Sequence, residues 1–105
     1  DINTKRPVLA NNTGGLSGPA IKPVAVRMVY QVAQVVKIPI MGLGGIVSAE
    51  DAIEFMLAGA LAISVGSSNF IDPYTSIKTI EGIEKYMEKN KIENINEIVG
   101  KVQMN

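Results

Sequence analysis

The 105 residues carry ten basic and ten acidic side chains, hence no net charge, and 47% of them are hydrophobic but only 5% aromatic. That balance gives no electrostatic reason to expect nucleic acid or an anionic membrane as partner, and no apolar run approaches the roughly 20 residues needed to span a bilayer. With no cysteine and no histidine, these residues exclude disulfides, thiolate-ligated zinc, iron–sulfur ligation, imidazole metal sites and a Ser-His-Asp triad among themselves.

Acid–base chemistry carried here would fall to carboxylates, lysines or tyrosines, and none of these clusters suggestively. The opening Asp1-Ile2-Asn3-Thr4-Lys5-Arg6-Pro7 has none of the pattern of a signal peptide, so cytoplasmic residence is the expectation.

In chain order, Arg6 to Ala10 is expected as a short extended run, with room for a hairpin near the N-terminus. Asn11-Asn12-Thr13-Gly14-Gly15 then makes a turn-rich loop, since Asn and Gly tolerate positive φ. Leu16-Ser17-Gly18-Pro19 leads into a helix that Pro23 places at or near Lys22 and that Lys37 ends. Its apolar stripe is Ile21, Val24, Ala25, Met28, Val32 and Val35, at spacings of three and four. Ile38-Pro39-Ile40-Met41 is a strand that runs into Gly42-Leu43-Gly44-Gly45.

Ser48-Ala49-Glu50-Asp51 reads as a variant capping box opening a second helix. Ala52, Ile53, Phe55, Met56 and Leu57 fill that helix, and Gly59 ends it. Leu61–Val65 is the second strand, running into Gly66-Ser67-Ser68. Asp72-Pro73 reads as an N-cap with proline at the first helical position. The helix that follows is expected to bury Ile77, Ile80, Ile83 and Met87 while Glu81, Glu84, Lys85 and Glu88 face solvent. A last short helix opens at Asn94 with Glu97 as capping partner.

Helices alternating with near-continuous apolar strands imply parallel strands joined by right-handed crossovers. Each strand closes in a glycine turn, and such turns let backbone N–H groups approach an anion closely. In a (β/α)8 barrel, the last two of these turns are the usual phosphate site. Two strands leave sheet edges open, and a complete barrel needs about 250 residues. The fold class expected is therefore α/β: residues 1–105 as the C-terminal portion of a single (β/α)8 TIM-barrel domain, about two complete βα units. The apolar faces of the helices at 21–36 and 52–58 should stay partly open.

Thr13-Gly14-Gly15-Leu16-Ser17-Gly18-Pro19-Ala20-Ile21-Lys22-Pro23, then Gly42-Leu43-Gly44-Gly45 and Gly66-Ser67-Ser68-Asn69-Phe70, resembles dihydroorotate dehydrogenase of class 1B, the NAD-linked type. The resemblance runs over nearly the whole chain, and the eleven-residue string is its most specific part. It implies a flavin mononucleotide (FMN) barrel that oxidises dihydroorotate to orotate in pyrimidine biosynthesis. It also implies a homo-oligomeric full enzyme and a partner subunit with iron–sulfur and FAD centres that passes electrons to NAD⁺. By match to the family motifs, Gly18, Gly44, Gly45, Gly66 and Ser67 would be the FMN contacts. The family often has Thr at position 67, and Ser keeps the donor.

The family's catalytic cysteine, its flavin-binding lysine and its substrate asparagines are placed by the resemblance before Asp1. Asn3-Thr4 is not carried over as a substrate pair, because its distance from Gly18 puts it in a loop. No catalytic residue and no metal ligand is therefore assigned within the chain, and the 105 residues alone are expected to be inactive. A valine at Gly45 is expected to block a phosphate and leave much of the fold intact.

Plainer readings stand beside these. Strand-end glycines are often turn makers alone; Ser48 and Asp51 read as a cap only; and Lys22 reads as a solvated first-turn lysine rather than an anion ligand. Met28, Met41, Met56 and Phe55 read as core. Three alternatives stay open: the FMN domain of a dihydropyrimidine dehydrogenase, which shares the Gly-Gly-Leu-Ser-Gly-Pro-Ala-Ile string; a barrel piece binding a non-flavin phosphate; and a remnant that binds nothing.

Overall fold

Gly18 turns the chain with φ 86°, and Pro19–Ile21 form one 3-10 turn that runs directly into α1, Lys22–Ala33. Prolines at 19 and 23 fall where the first-turn N–H groups have no intrahelical acceptor. The helix ends four residues before Lys37. Val35 and Val36 both donate to the Val32 carbonyl instead of continuing the ladder, as a β-branched pair just ahead of Ile38-Pro39 favours. The computed structural model describes all 105 residues.

β1 is Met41–Leu43 and β2 is Ala62–Ser64. They pair in parallel with Met41 opposite Ala62, Gly42 opposite Ile63 and Leu43 opposite Ser64. The first strand thus lies three residues beyond the expected Ile38 start, and Gly42 belongs to the strand rather than to the turn. A Cβ on Gly42 would stand 2.6 Å from Phe55 Cδ1. Glycine here lets the fully buried Phe55 ring lie on the strand backbone.

Between the strands runs α2, Ala49–Ala58, opened by the expected Ser48/Asp51 capping box and closed by Gly59 at φ 126°. This helix is the centre of the molecule. Ala52, Phe55 and Ala58 pack with Ala25, Val29, Ile46 and Ala60, while Ile53 and Met56 pack with Ile98 on the other side. The expectation that its apolar face stays partly open is corrected: α1 and a later helix cover it from both sides.

Two elements follow β2. A short helix α3, Ser68–Ile71, stands where only a turn was expected. The last long helix, α4, spans Thr75–Asn90 and starts two residues late. Asp72 forms a side-chain turn instead of the N-cap, its Oδ1 accepting the Tyr74 N–H at 2.9 Å. The buried line of α4 is Thr75 and Thr79 with Gly82, Ile83 and Tyr86 partly covered, whereas Ile77 and Ile80 are exposed. Gly82 sets this rotation: a Cβ there would lie 2.4 Å from Ala49 Cβ, so the two helices cross in near backbone contact.

After α4, Asn94 and Glu97 cap a 3-10 turn, Ile95–Ile98, as the sequence indicates. Gly100 and Val102 then donate to the Met56 and Leu57 carbonyls, satisfying the end of α2.

The edges are another matter. Of the expected α1 stripe only Ala25 is buried; Val24, Met28, Val32 and Val35 are exposed, and Val29 is buried in their place. Met28 and Met41 are therefore surface residues here, and Met56 and Phe55 are core. Residues 1–17 are all exposed and contain turns and bends, with no extended run at 6–10 and no hairpin. The radius of gyration is 16.4 Å, against about 13 Å for a self-contained domain of this length. No helix is long and apolar enough to cross a membrane.

Candidate functional site

Because β1 and β2 are parallel and in register, the chain leaves both at the same end of the sheet. Gly44 and Gly45 follow β1 with φ 124° and 75°, and Gly66 and Ser67 follow β2. The segment before α1 reaches the same end. Together they enclose a cleft of about 190 Å³ lined by Leu16–Gly18, Ile21, Leu43–Ile46, Gly66 and Ser67. All five residues singled out from the sequence line it. A larger apolar hollow of about 400 Å³ lies between α1 and α2, but it contains none of them.

The chemistry of the cleft is that of backbone and hydroxyl groups. None of its ten lining residues is ionisable; its polar side chains are Ser17 and Ser67. The N–H groups of Gly45, Ile46, Gly66 and Ser67 donate to no backbone or side-chain acceptor. Unused backbone donors gathered at strand ends, with no carboxylate among them, suit an anion such as a phosphate monoester.

The glycines answer to different constraints. A Cβ on Gly45 would lie 2.7 Å from the Gly18 carbonyl oxygen and 3.0 Å from the Lys22 nitrogen, so this turn needs glycine for the chain's own packing. A Cβ on Gly66 would meet nothing within 4 Å.

Residues outside the cleft brace it. Ser68 Oγ donates to the Ile46 carbonyl at 3.0 Å, tying the second glycine turn to the first. Asn69 Nδ2 donates to the Val65 carbonyl at 3.0 Å. Asp51 Oδ2 accepts the N–H groups of Val47 and Ser48, and its Oδ1 accepts Lys22 Nζ at 2.6 Å; Glu54 also reaches Lys22 at 3.0 Å. Burial pushes the Asp51 carboxyl up, but the Lys22 hydrogen bond, the Val47 N–H, the Lys22 charge and Ser48 together hold it below the usual aspartate value. The hydrogen bonds to Asp51 and Glu54 raise the Lys22 ammonium above the ordinary lysine value, against its own desolvation.

Lys22 is thus not the free, solvated lysine expected but a partly exposed one held by two carboxylates, it does not line the cleft, and Asp51 does more than cap. Sequence reading missed both, together with Ser68. Their partners lie 29 and 22 residues away, beyond any local spacing rule; Ser68 stood in the turn motif without a bonding role.

The geometry defines a class: an α/β protein with an anion cleft built from glycine turns at the C-terminal ends of parallel strands. Residues 1–87 match the family described as dihydroorotate dehydrogenase, and the chain belongs to that family. It is 58% identical over 103 residues to dihydroorotate dehydrogenase B (NAD(+)), catalytic subunit, of Lachnoclostridium phytofermentans, covering 98% of this chain and 34% of that protein. The protein of the same name from Alkaliphilus oremlandii is 59% identical over 102 residues, covering 97% and 34%. The chain therefore spans about a third of the length of the curated relatives it matches. Among solved structures, DHODH from Eimeria tenella in complex with ferulenol superposes with a TM-score of 0.79 at 26% identity, covering 87% of this chain and 25% of that one.

Proposed function

We propose that these residues supply the phosphate-holding end of the FMN site of a class 1B dihydroorotate dehydrogenase. That enzyme is a cytoplasmic, homo-oligomeric (β/α)8 barrel oxidising (S)-dihydroorotate to orotate in pyrimidine biosynthesis. It works with an iron–sulfur and FAD subunit that delivers electrons to NAD⁺. The observation that carries the reading is the convergence of Gly18, Gly44, Gly45, Gly66 and Ser67 on one cleft with unpaired N–H groups and no ionisable side chain.

In this reading the N–H groups of Gly45, Ile46, Gly66 and Ser67 would hold the phosphate, with Gly18 on the third side of the cleft. A flavin held there would supply the hydride acceptor for dihydroorotate. Residues 1–105 hold and orient the phosphate end, and with no cysteine or histidine they leave the substrate base to the rest of the barrel.

The test is to strip the complete enzyme of flavin and titrate it with FMN and with riboflavin, which lacks the phosphate. FMN should bind at least about a hundredfold more tightly, since two or more charge-assisted hydrogen bonds are at stake. Equal affinity would remove the phosphate role from this cleft.

A further inference from the structure

The cleft has walls from different elements, and one carboxylate is bonded to both. Asp51 sits in the first turn of α2 and is 7% exposed. Its Oδ2 accepts the N–H groups of Val47 at 2.9 Å and Ser48 at 3.1 Å, the residues that follow the Gly44–Gly45–Ile46 wall. Its Oδ1 takes the Lys22 ammonium. Lys22 closes the 3-10 turn that begins after Gly18, with its own N–H on the Pro19 carbonyl. The backbone of Lys22 also stands where Gly45 leaves no room for a side chain. A capping box requires only that the carboxylate reach back to the N-cap N–H. The second oxygen is engaged across 29 residues of sequence, from the Gly44–Gly45 wall to the Gly18 wall.

We infer that the Lys22–Asp51 pair is a positioning device of the anion cleft, fixing the gap between its Gly18 wall and its Gly44–Gly45 wall. The inference rests on the phosphate reading above. Neither residue lines the cleft, so neither touches the anion. The pair acts through the backbone it ties down, and a donor displaced by a fraction of an ångström loses much of a charge-assisted hydrogen bond. Lys22 also neutralises Asp51. Left unpaired, that buried carboxylate would put an uncompensated negative charge next to the wall formed by Gly44–Gly45–Ile46.

The experiment uses flavin-free complete enzyme carrying Lys22→Met, Lys22→Arg, Asp51→Asn or the Lys22→Met/Asp51→Asn pair, titrated with FMN and riboflavin. Lys22→Met and Asp51→Asn should each weaken FMN by about tenfold, one charge-assisted hydrogen bond in affinity, and leave riboflavin unchanged. Lys22→Arg should retain most of the FMN affinity, and the double variant should be no worse than the worse single one.

Equal losses for FMN and riboflavin, or an unchanged FMN affinity in Lys22→Met, would overturn the inference. Should Asp51→Asn not fold, Lys22→Met decides alone, since its side chain is 24% exposed and leaves the cap in place. If the unmodified enzyme prefers FMN and the variants keep that preference, only the positioning role fails. If the unmodified enzyme shows no preference, the phosphate reading fails with it.

Discussion

The two glycine turns occupy equivalent places, each one residue or two past the end of a parallel strand, yet they are glycine for different reasons. At Gly45 the chain's own backbone is the obstacle, with the Gly18 carbonyl 2.7 Å from any added Cβ and φ at 75°. At Gly66 the protein presents no obstacle at all within 4 Å. One glycine is required by folding, and the other is free of any demand but that of the space beside it. A motif records both as the same letter. Only the neighbours separate a glycine that shapes the cleft from one that keeps it open.

Two substitutions test the contrast. The larger effect belongs to Gly45→Val in the complete enzyme. A branched residue at positive φ, driven into fixed backbone, should destabilise by about 3 kcal/mol or more, and flavin should be lost with it. That revises what the sequence suggests, namely a blocked phosphate with much of the fold left intact. Gly66→Val should do what Gly45→Val cannot: remove FMN while the flavin-free melting curve moves by less than about 1 kcal/mol. Thermal melts of the flavin-free proteins, paired with flavin content after purification, read both. Equal destabilisation by the two variants would erase the contrast; a Gly66→Val enzyme with full flavin would place the phosphate elsewhere.

The parts of this fold that were legible in the sequence were those fixed within a few residues. The Ser48/Asp51 and Asn94/Glu97 boxes, the Gly59 stop and the start of α1 beside Pro23 all follow from local backbone needs, and each is present. The candidate site residues were legible too, through the long string at 13–23 and the order of the turns; their shared cleft needed only parallel strands.

What failed depends on neighbours far away in sequence. Ile77 and Ile80 fit an apolar stripe, but Gly82 against Ala49 turns α4 so that Thr75 and Thr79 face inward instead. Gly42 looked like part of a turn because nothing local announces Phe55 above it. The α1 stripe was read correctly as apolar and as partly open, and Val29 was missed as one of its buried members. Periodicity identifies a face that avoids water and says nothing of what meets it.

The smallest expected effect on flavin binding concerns the link between the turns. Ser68 is 6% exposed, and its Oγ gives the Ile46 carbonyl its one hydrogen bond. Ser68→Ala leaves the carbonyl of Ile46, a residue 3% exposed, without a donor, which should cost about 1–2 kcal/mol. No new atom enters the cleft, and the free N–H groups of both turns stay in place, so FMN should be retained with an affinity reduced far less than in Gly66→Val. Urea unfolding of the flavin-free enzyme measures the first effect, and FMN titration the second. A shared loss, with FMN affinity falling as far as in Gly66→Val, would mean that the open turn depends on the packed one for its shape. Gly66 would then be held by folding as much as Gly45 is. Unchanged stability would mean that the Ser68 bond does not tie the turns together and that each is held by its own strand.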